Sequence, residues 1–431
     1  MGHTVSGSDV VESRTLDRLR SLGVTVHVGH DESNIPEDAD LVAISTAIPL
    51  DNLEIVAAQR RGIPVVRRNS LLAAIASTRR TIAVAGTHGK TTTSSMLATI
   101  LRGAGLDPAF LIGGEVTQLG TNAEWGTGEL FVLEADESDG SGFAVEHLGA
   151  IVTNVEPDHL EFHGTTENLH AAFAAFMAAT EGPLIVCADD PVASELGRTL
   201  DARSYGFSTD ADVRIVDLRP SRTGSVFEVE VDGVRLGDVR LPMAGAHNAT
   251  NACGAIAMAL ELGVDVPTAS SALADFGGVG RRFEKRGECD GIVLVDDYAH
   301  LPTEVAAAIS AGHDGGWDRV VAVFQPHRYS RTQSLWREFA DAFVGADLLV
   351  LTGIYAAGEA PREGISGELL VDAVSSAHPD HRIIYVADRS DLAAVVADEL
   401  VAGDLCLTLG AGDITALADE ILPLLETRVR P

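Results

Sequence analysis

The sequence is short of lysine, of aromatic residues and of positive charge. Only Lys90 and Lys285 are lysines among 31 basic residues, and aromatic residues make up 5% of the chain. The formal net charge is −32 and the pI is near 4.6. Because such a field repels phosphate backbones, the composition argues against a nucleic-acid partner. A phosphate-bearing ligand must be small and held by local dipoles, cations or metal.

Long apolar runs are also missing. No stretch approaches the roughly 18 apolar residues that span a bilayer, and no charged-then-apolar leader opens the chain. We therefore expect a cytoplasmic protein without a membrane partner. The four cysteines are scattered without a C-x-x-C pair, which favours reduced structural thiols.

Apolar runs of strand length alternate with helical patterns along the whole chain of 431 residues, which is too long for one core. The predicted fold class is α/β with three domains. We expect a Rossmann-like N-terminal domain over residues 1–79, a central domain with a mostly parallel sheet over 80–280, and a C-terminal Rossmann-like α/β domain over 281–431. Residues 203–241 predict an antiparallel insertion, and GVGRRFE at 278–284 predicts a hinge.

The first domain begins in an unusual place. A dinucleotide-type fold opens with a strand, a glycine-rich turn and a helix, and its second strand ends in an acidic residue. Asp9 occupies that acidic position, with only eight residues before it. We therefore expect the first strand and glycine-rich turn to be missing and the natural product to start upstream of Met1. A genuinely smaller domain is the alternative.

The stretch AVAGTHGKTTTSSMLATIL, residues 83–101, resembles a phosphate-binding loop in which Val84 replaces the first glycine. It lies in the strand–turn–helix context that such a loop requires. Backbone N–H groups at the helix N-terminus bind phosphate oxygens, Lys90 can reach the β- and γ-phosphates, and the Thr91 hydroxyl can ligate Mg²⁺. The central domain is therefore predicted to bind ATP. The predicted nucleotide-binding residues of the loop are Gly86, Thr87, His88, Gly89, Lys90, Thr91 and Thr92.

Two clusters of acidic residues and histidines follow predicted strands of the same domain. FVLEADESD contains Glu134, and IVTNVEPDHLEFHG contains His159. Ligands of a nucleotide metal come from loops at the carboxyl ends of parallel strands, and Mg²⁺ prefers oxygen ligands. A solvated acidic loop is the alternative for each cluster.

The third domain carries VLVDDYAHLPTE and FQPHRYSRT after consecutive strands. Two arginines three residues apart, Arg328 and Arg331, can bind a carboxylate in a bidentate manner. Surface salt bridges are the alternative. GAGDIT at 410–415 is another glycine-rich turn before a helix.

Together these motifs resemble the Mur ligase family, the ATP-dependent amide ligases of peptidoglycan synthesis. The resemblance is carried by VSGSD, GTHGKTTT, EADESD, TNVEPDH, GAHNATNA, RRFE, DDYAHLPTE, FQPHRYSRT and GAGDIT, in family order. It implies three domains, for a UDP-sugar, for ATP and for an incoming amino acid.

The resemblance also implies roles for individual residues. Asn248, Asn251 and Asp297 would contact the nucleotide, and Thr91, Glu134 and His159 would hold metal. The implied catalytic residues are Lys90, Glu134, His159 and His300. The implied substrate-binding residues are Asp9, Arg282, Tyr298, Arg328 and Arg331.

The alanine-adding branch of the family is the most similar. Other members carry a carbamylated lysine downstream of the metal histidine, but no lysine occurs here between Lys90 and Lys285. The resemblance implies ligation of L-alanine to the lactyl carboxylate of UDP-N-acetylmuramate through an acyl phosphate. Ala299 and Leu301 depart from the family pattern D-D-Y-G-H-H-P-T-E. A ligase that recycles a tripeptide and a non-catalytic nucleotide-binding homologue are the alternatives, and the oligomeric state is left open.

Overall fold

The structure is a computed structural model that describes residues 2–45 and 47–429. Two compact units are distinguished, one formed by residues 1–79 with 144–146 and the other by residues 80–143 with 147–431. The described part of the chain contains no helix that is both long and apolar enough to cross a membrane.

The first unit contains two small parallel sheets. Strand β1 (Ser6–Asp9) pairs with β2 (Thr25–Val28), and β3 (Val42–Ile44) pairs with β4 (Val65–Arg67). Its helices are α1 (Arg14–Ser21), α2 (Leu53–Arg60) and α3 (Arg68–Ala76). The expected alternation of strands and helices is confirmed in this unit.

The second unit contains a ten-stranded sheet in the order β14-β13-β12-β11-β10-β9-β5-β8-β6-β7. Its strands are β5 (Arg80–Ala85), β6 (Ala109–Val116), β7 (Thr121–Glu124), β8 (Leu130–Glu134), β9 (Gly149–Val152), β10 (Leu184–Cys187), β11 (Arg203–Gly206), β12 (Val213–Ser221), β13 (Gly224–Val231) and β14 (Val234–Leu241). The associated helices are α4 (Lys90–Gly103), α5 (Leu160–His163), α6 (Thr166–Ala178), α7 (Pro191–Arg198), α8 (Ala246–Glu261) and α9 (Val266–Ala274).

The middle of this sheet is parallel, and antiparallel pairs lie only at its two ends. Strands β5 and β9 are adjacent and almost wholly buried, as apolar strands covered on both faces must be. Helix α4 is buried from Thr91 to Leu101. The turn from β5 to α4 therefore lies at the carboxyl edge of the sheet centre.

The prediction of an antiparallel insertion over residues 203–241 was wrong at its start. Strand β11 is parallel to both β10 and β12. Within residues 203–241 the antiparallel pairs are therefore β12 with β13 and β13 with β14. These strands extend the main sheet because β12 continues its hydrogen bonding. Strands β6 and β7 were not predicted, since the polar and glycine residues of that segment mask its periodicity.

A second, six-stranded sheet follows in the order β15-β16-β20-β17-β18-β19. Its strands are β15 (Glu284–Cys289), β16 (Ile292–Asp297), β17 (Arg319–Phe324), β18 (Leu348–Thr352), β19 (Ile383–Val386) and β20 (Asp404–Leu409), and its helices are α10 (Pro302–Asp314), α11 (Tyr329–Leu335), α12 (Glu368–Ala377), α13 (Leu392–Glu399) and α14 (Leu417–Val429). The pairs among strands β16 to β20 are all parallel, as expected of a Rossmann-like domain, and β15 adds an antiparallel edge. Apolar clusters cover both faces.

The predicted α/β class is thereby confirmed, while the boundaries at 79/80 and 280/281 stay predictions. All four cysteines lie in the described part of the chain and are free thiols.

Tyr205 offers a test of the packing around β11. Its hydroxyl is buried and has no hydrogen-bond partner among the described residues. Because a buried unsatisfied hydroxyl is destabilising, we expect Tyr205→Phe to raise the free energy of unfolding by about 1 kcal/mol. Gly254→Ala should lower it by about 1–3 kcal/mol, since its Cβ would lie 2.7 Å from Tyr205 Cζ. Thermal unfolding of both variants and the wild type tests these expectations. A Tyr205→Phe protein that is less stable than the wild type would contradict the packing argument.

Candidate functional site

The phosphate loop packs against the end of β9 and against α8 so closely that two of its positions exclude a side chain. Gly86 and Gly89 have φ angles of +138° and +78°, which favour glycine. A Cβ at Gly86 would lie 1.9 Å from Thr153 Oγ1, and one at Gly89 would lie 2.4 Å from Asn251 Oδ1. The two glycines predicted to shape the loop are therefore required by geometry, whereas Val84 lies inside β5.

Lys90 begins α4 and brings a buried positive charge to the loop. Its Nζ donates to the carbonyl oxygens of Gly86 at 2.6 Å and Thr87 at 3.2 Å, and it lies 2.9 Å from Glu137 Oε2. Burial by itself lowers the pKa of Lys90, but attraction to Glu137 outweighs it, so that this pKa is raised. The ammonium therefore stays charged beside the helix N-terminus.

Thr91 and Glu134 lie in contact beneath the loop. The Thr91 hydroxyl donates to Glu134 Oε1 at 3.0 Å, and the backbone N–H of Gly113 donates to Glu134 Oε2 at 2.6 Å. A hydroxyl and a carboxylate held side by side are hard oxygen donors of the kind that Mg²⁺ takes together with phosphate oxygens and water.

A pocket of about 210 Å³ opens beside the loop, between the central sheet and α10. Its lining residues are His88, Gly89, Thr92, Asn154, Glu156, His247, Asn248, Asn251, Arg282, Asp297, Thr303, Glu304, Ala307 and Ala308. The volume is below the roughly 300–1,000 Å³ typical of small-molecule sites. The pocket adjoins the loop at Gly89 and helix α8 at Asn248 and Asn251.

His88 crosses the pocket between two carboxylates. Its Nε2 lies 3.2 Å from Glu156 Oε2, and its Nδ1 lies 3.2 Å from Glu304 Oε1, a distance of ion pairing although the direction is outside hydrogen-bond geometry. Burial opposes the charged ring, but the two carboxylates outweigh burial and raise the pKa of His88 to about 9. The imidazole is therefore an imidazolium at neutral pH.

Asp297 lies at the end of β16 on the opposite wall. Its carboxylate accepts hydrogen bonds from the backbone N–H groups of Phe283 at 2.7 Å and Ala299 at 2.8 Å. Burial raises the pKa of Asp297 to about 6, against the attraction of Arg282. The Arg282 guanidinium lies 5.0 Å from the centre of the Tyr298 ring.

A second polar cluster lies where β17 leads into α11. The Arg331 guanidinium is 3.0 Å from His327 Nδ1 and 3.1 Å from Asp158 Oδ1. The ring centres of His300 and His327 are 6.1 Å apart, and those of Tyr298 and His300 are 5.3 Å apart. A cation, a carboxylate and two imidazoles are thus grouped at this point, and their role in binding an amino acid stays a prediction.

Comparison with known proteins decides the family. The family models "Mur ligase family, catalytic domain", "Mur ligase middle domain" and "Mur ligase, glutamate ligase domain" match residues 1–80, 84–259 and 281–412. The chain belongs to the Mur ligase family.

Individual relatives of this Mur ligase match nearly its whole length. The UDP-N-acetylmuramate–L-alanine ligase of Desulforamulus reducens is 44% identical over 99% of this chain and 93% of its own. The solved UDP-N-acetylmuramate–alanine ligase of Thermotoga maritima is 29% identical, with a TM-score of 0.81 over 98% of this chain and 94% of its own. A murein peptide ligase of Psychrobacter arcticus is 26% identical, with a TM-score of 0.67 over 98% and 94%.

The structure brings most of the predicted nucleotide residues of this Mur ligase together, but only part of the predicted metal set. Thr91 contacts Glu134, whereas His159 lies 3.3 Å from Asp158 and 3.7 Å from Glu161. Within residues 2–45 and 47–429, no three His, Cys, Asp or Glu side chains are arranged to hold a metal ion. The metal role of His159 stays a prediction.

Two predicted substrate residues have local partners. Asp9 is exposed at the end of β1, where its Oδ1 accepts from the Val11 N–H at 3.1 Å. Arg328 lies 3.6 Å from Glu161 and has a φ of +67°. Their roles in binding substrate stay predictions.

Sequence reasoning did not assign several side chains that line or support the site. They are Glu137, Asn154, Glu156, Asp158, His247, Thr303, Glu304 and His327. All of them lie within or next to the quoted motifs. Their roles depend on which distant partner they face, and residue spacing does not encode that.

Gly89→Ala tests the close approach of Asn251 to the loop. We expect nucleotide affinity to fall at least tenfold, because the new Cβ and Asn251 Oδ1 cannot both keep their places. Gly105→Ala is the matched control, since Gly105 has a φ of +77° with open space around it. Both variants carry the backbone strain of about 1 kcal/mol, so equal affinities of the two for β,γ-methylene-ATP in calorimetry would contradict the assignment.

The raised pKa of His88 predicts a pH-dependent stability. The charged ring is favoured in the folded state, so its contribution is complete below the unfolded pKa of about 6.5 and is lost as pH rises through about 9. The difference in unfolding free energy between wild type and His88→Asn should therefore shrink from pH 6.5 to 9 by up to about 3 kcal/mol. Thermal unfolding without ligands measures it.

His313→Asn is the control for that titration, because His313 is exposed on α10. This variant should follow the wild-type pH dependence throughout. A gap between wild type and His88→Asn that stays constant with pH would mean that the ring is neutral in the folded protein.

Proposed function

We propose that this Mur ligase joins L-alanine to the lactyl carboxylate of UDP-N-acetylmuramate, with ATP as the source of energy. The observation that carries the proposal is the glycine-shaped loop with a charged Lys90 at the start of α4, next to a cluster able to bind an amino acid. The L-alanine ligases of Desulforamulus reducens and Thermotoga maritima match the chain over nearly its full length. A cytoplasmic location is part of the same proposal.

Activation of the acid is the first chemical step. A carboxylate is a poor electrophile, so its oxygen attacks the γ-phosphorus of ATP, the bond to the bridging oxygen breaks, and ADP leaves behind an acyl phosphate. Lys90 and the N-terminus of α4 bind phosphate oxygens and offset charge there. To do so, the lysine exchanges its contact with Glu137 for phosphate oxygens.

Amide formation follows at the second cluster. Arg331 and Arg328 bind the carboxylate of L-alanine, and the neutral amine attacks the acyl carbon, expelling phosphate. Burial and the nearby Arg331 together lower the pKa of His300, and they lower the pKa of His327 to about 4. Neutral imidazoles at this position can take up the proton that the amine loses, and His300 is our candidate for that role.

The residues beneath the loop fit a magnesium ion. Thr91 and Glu134 would hold it, with phosphate oxygens and water completing its shell, and the ion would supply charge neutralisation at the phosphates. Glu134 is already oriented for this by the N–H of Gly113.

The two alternatives are not favoured. The murein peptide ligase of Psychrobacter arcticus is a less similar structure than the alanine ligase of Thermotoga maritima. A non-catalytic nucleotide-binding homologue would need the charged loop lysine but not the separate cluster of Tyr298, His300, His327 and Arg331. Given L-alanine or a cell-wall tripeptide as acceptor, the enzyme should release ADP efficiently only with L-alanine.

The two lysines of the chain give a matched test of the loop. Lys90→Ala should lower the rate of ADP formation at least a thousandfold, because the charge that binds the phosphates is removed. Lys285→Ala should retain the wild-type rate, since Lys285 is 57% exposed and pairs with nearby Glu288. An ADP-release assay with UDP-N-acetylmuramate and L-alanine measures both. Normal turnover by the Lys90→Ala protein would rule out the proposed chemistry.

A further inference from the structure

A continuous series of contacts runs from the phosphate loop to the amino-acid cluster. It passes from Glu156 to His88, from His88 to Glu304, and from Glu304 to His300, whose Nδ1 lies 3.2 Å from Glu304 Oε2. Thr303 adds a parallel contact, because its hydroxyl donates to Glu156 Oε2 at 2.7 Å. These contacts join the central sheet to the first turn of α10.

The fold of the loop itself does not require the His88 side chain. The backbone N–H of His88 donates to Asn154 Oδ1 at 2.8 Å, and its carbonyl accepts from the side chains of Thr153 and Asn154. The backbone is therefore anchored to the end of β9 whatever side chain stands there. The imidazole instead contacts two carboxylates. Its Nε2 faces Glu156, which follows β9, and its Nδ1 faces Glu304 on α10.

The Glu304 carboxylate contacts both His88 and His300. Its Oε2 accepts hydrogen bonds from the backbone N–H groups of His300 at 2.9 Å and Leu301 at 3.1 Å. The carboxylate thus fixes the turn that carries His300 and begins α10. Its side chain is only 11% exposed, and without the imidazolium this buried carboxylate would depend on the more distant Arg282, whose Nη1 lies 4.0 Å from Glu304 Oε1.

We propose that His88 is a positioning residue that couples nucleotide binding at the phosphate loop to L-alanine binding at the cluster of Tyr298, His300, His327 and Arg331. A nucleotide bound at the loop favours the arrangement seen here, in which the His88 ring holds Glu304 and Glu304 holds His300 at the amino-acid cluster. The coupling is reciprocal, because two ligands that favour the same arrangement strengthen each other's binding. This inference rests on the proposed function, since it assigns ATP and L-alanine to the two sites.

Equilibrium binding to the full chain tests the coupling without turnover. Calorimetry gives the affinity for β,γ-methylene-ATP with magnesium, alone and in the presence of saturating L-alanine. We expect L-alanine to tighten nucleotide binding at least fivefold in the wild type. His88→Asn and Glu304→Gln should each reduce this factor to less than twofold, whatever each change does to the affinity for either ligand alone.

The double variant and a control separate coupling from damage to the fold. Because both residues act through the contact between them, the double variant His88→Asn/Glu304→Gln should lose no more coupling than either single variant. His313→Asn, on the same helix but exposed, should keep the wild-type factor. The variants should also raise the KM for L-alanine more than they lower kcat.

The outcomes distinguish this inference from the proposed function. A wild-type protein that binds neither ligand would overturn both. Binding of both ligands without coupling in the wild type, or unchanged coupling in His88→Asn and Glu304→Gln, would overturn the inference and leave the ligase function standing.

Discussion

A buried positive charge at the start of α4 is the interaction on which the rest of the site depends. Lys90 is enclosed by two loop carbonyls and by Glu137, whose side chain is 2% exposed. An unpaired ammonium would not stay charged at this buried position. The Glu137 carboxylate therefore keeps Lys90 charged until a phosphate binds. The loop is thus preorganised for an anion by groups that an anion can replace.

The remaining architecture brings other groups to this charge. The carboxyl ends of β5, β8 and β9 carry the loop, Glu134 and the anchors Thr153 and Asn154, while β16 and β17 carry Asp297 and the amino-acid cluster. Ion pairs between Asp158 and Arg331 and between His88 and Glu304 join the two sheets.

Local patterns predicted the parts of the fold that depend on neighbours in sequence. The strand, turn and helix around Gly86 and Lys90 follow from apolar runs and glycines, and the buried parallel strands follow from their unbroken apolar character. The antiparallel strands β7 and β15 carry polar residues and lie at sheet ends, so their pairing partners and not their composition define them.

In the candidate site, too, the residues that could be predicted are those in recognisable local motifs. Gly89, Asn251 and Asp297 were recognised through motifs and meet in one pocket. The partners Glu137, Asp158 and Glu304 were within quoted motifs but unassigned, because the contacts they make join segments far apart in the chain. His159 illustrates the converse, since its motif implies a metal role but its contacts are with Asp158 and Glu161.

The most direct test of the central claim is a crystal structure of the full chain with β,γ-methylene-ATP and magnesium. The account predicts the β- and γ-phosphates over the N-terminus of α4, with Lys90 Nζ within hydrogen-bond distance of a phosphate oxygen and displaced from Glu137. A nucleotide whose phosphates lie away from residues 86–91, with the Lys90–Glu137 pair intact, would contradict it.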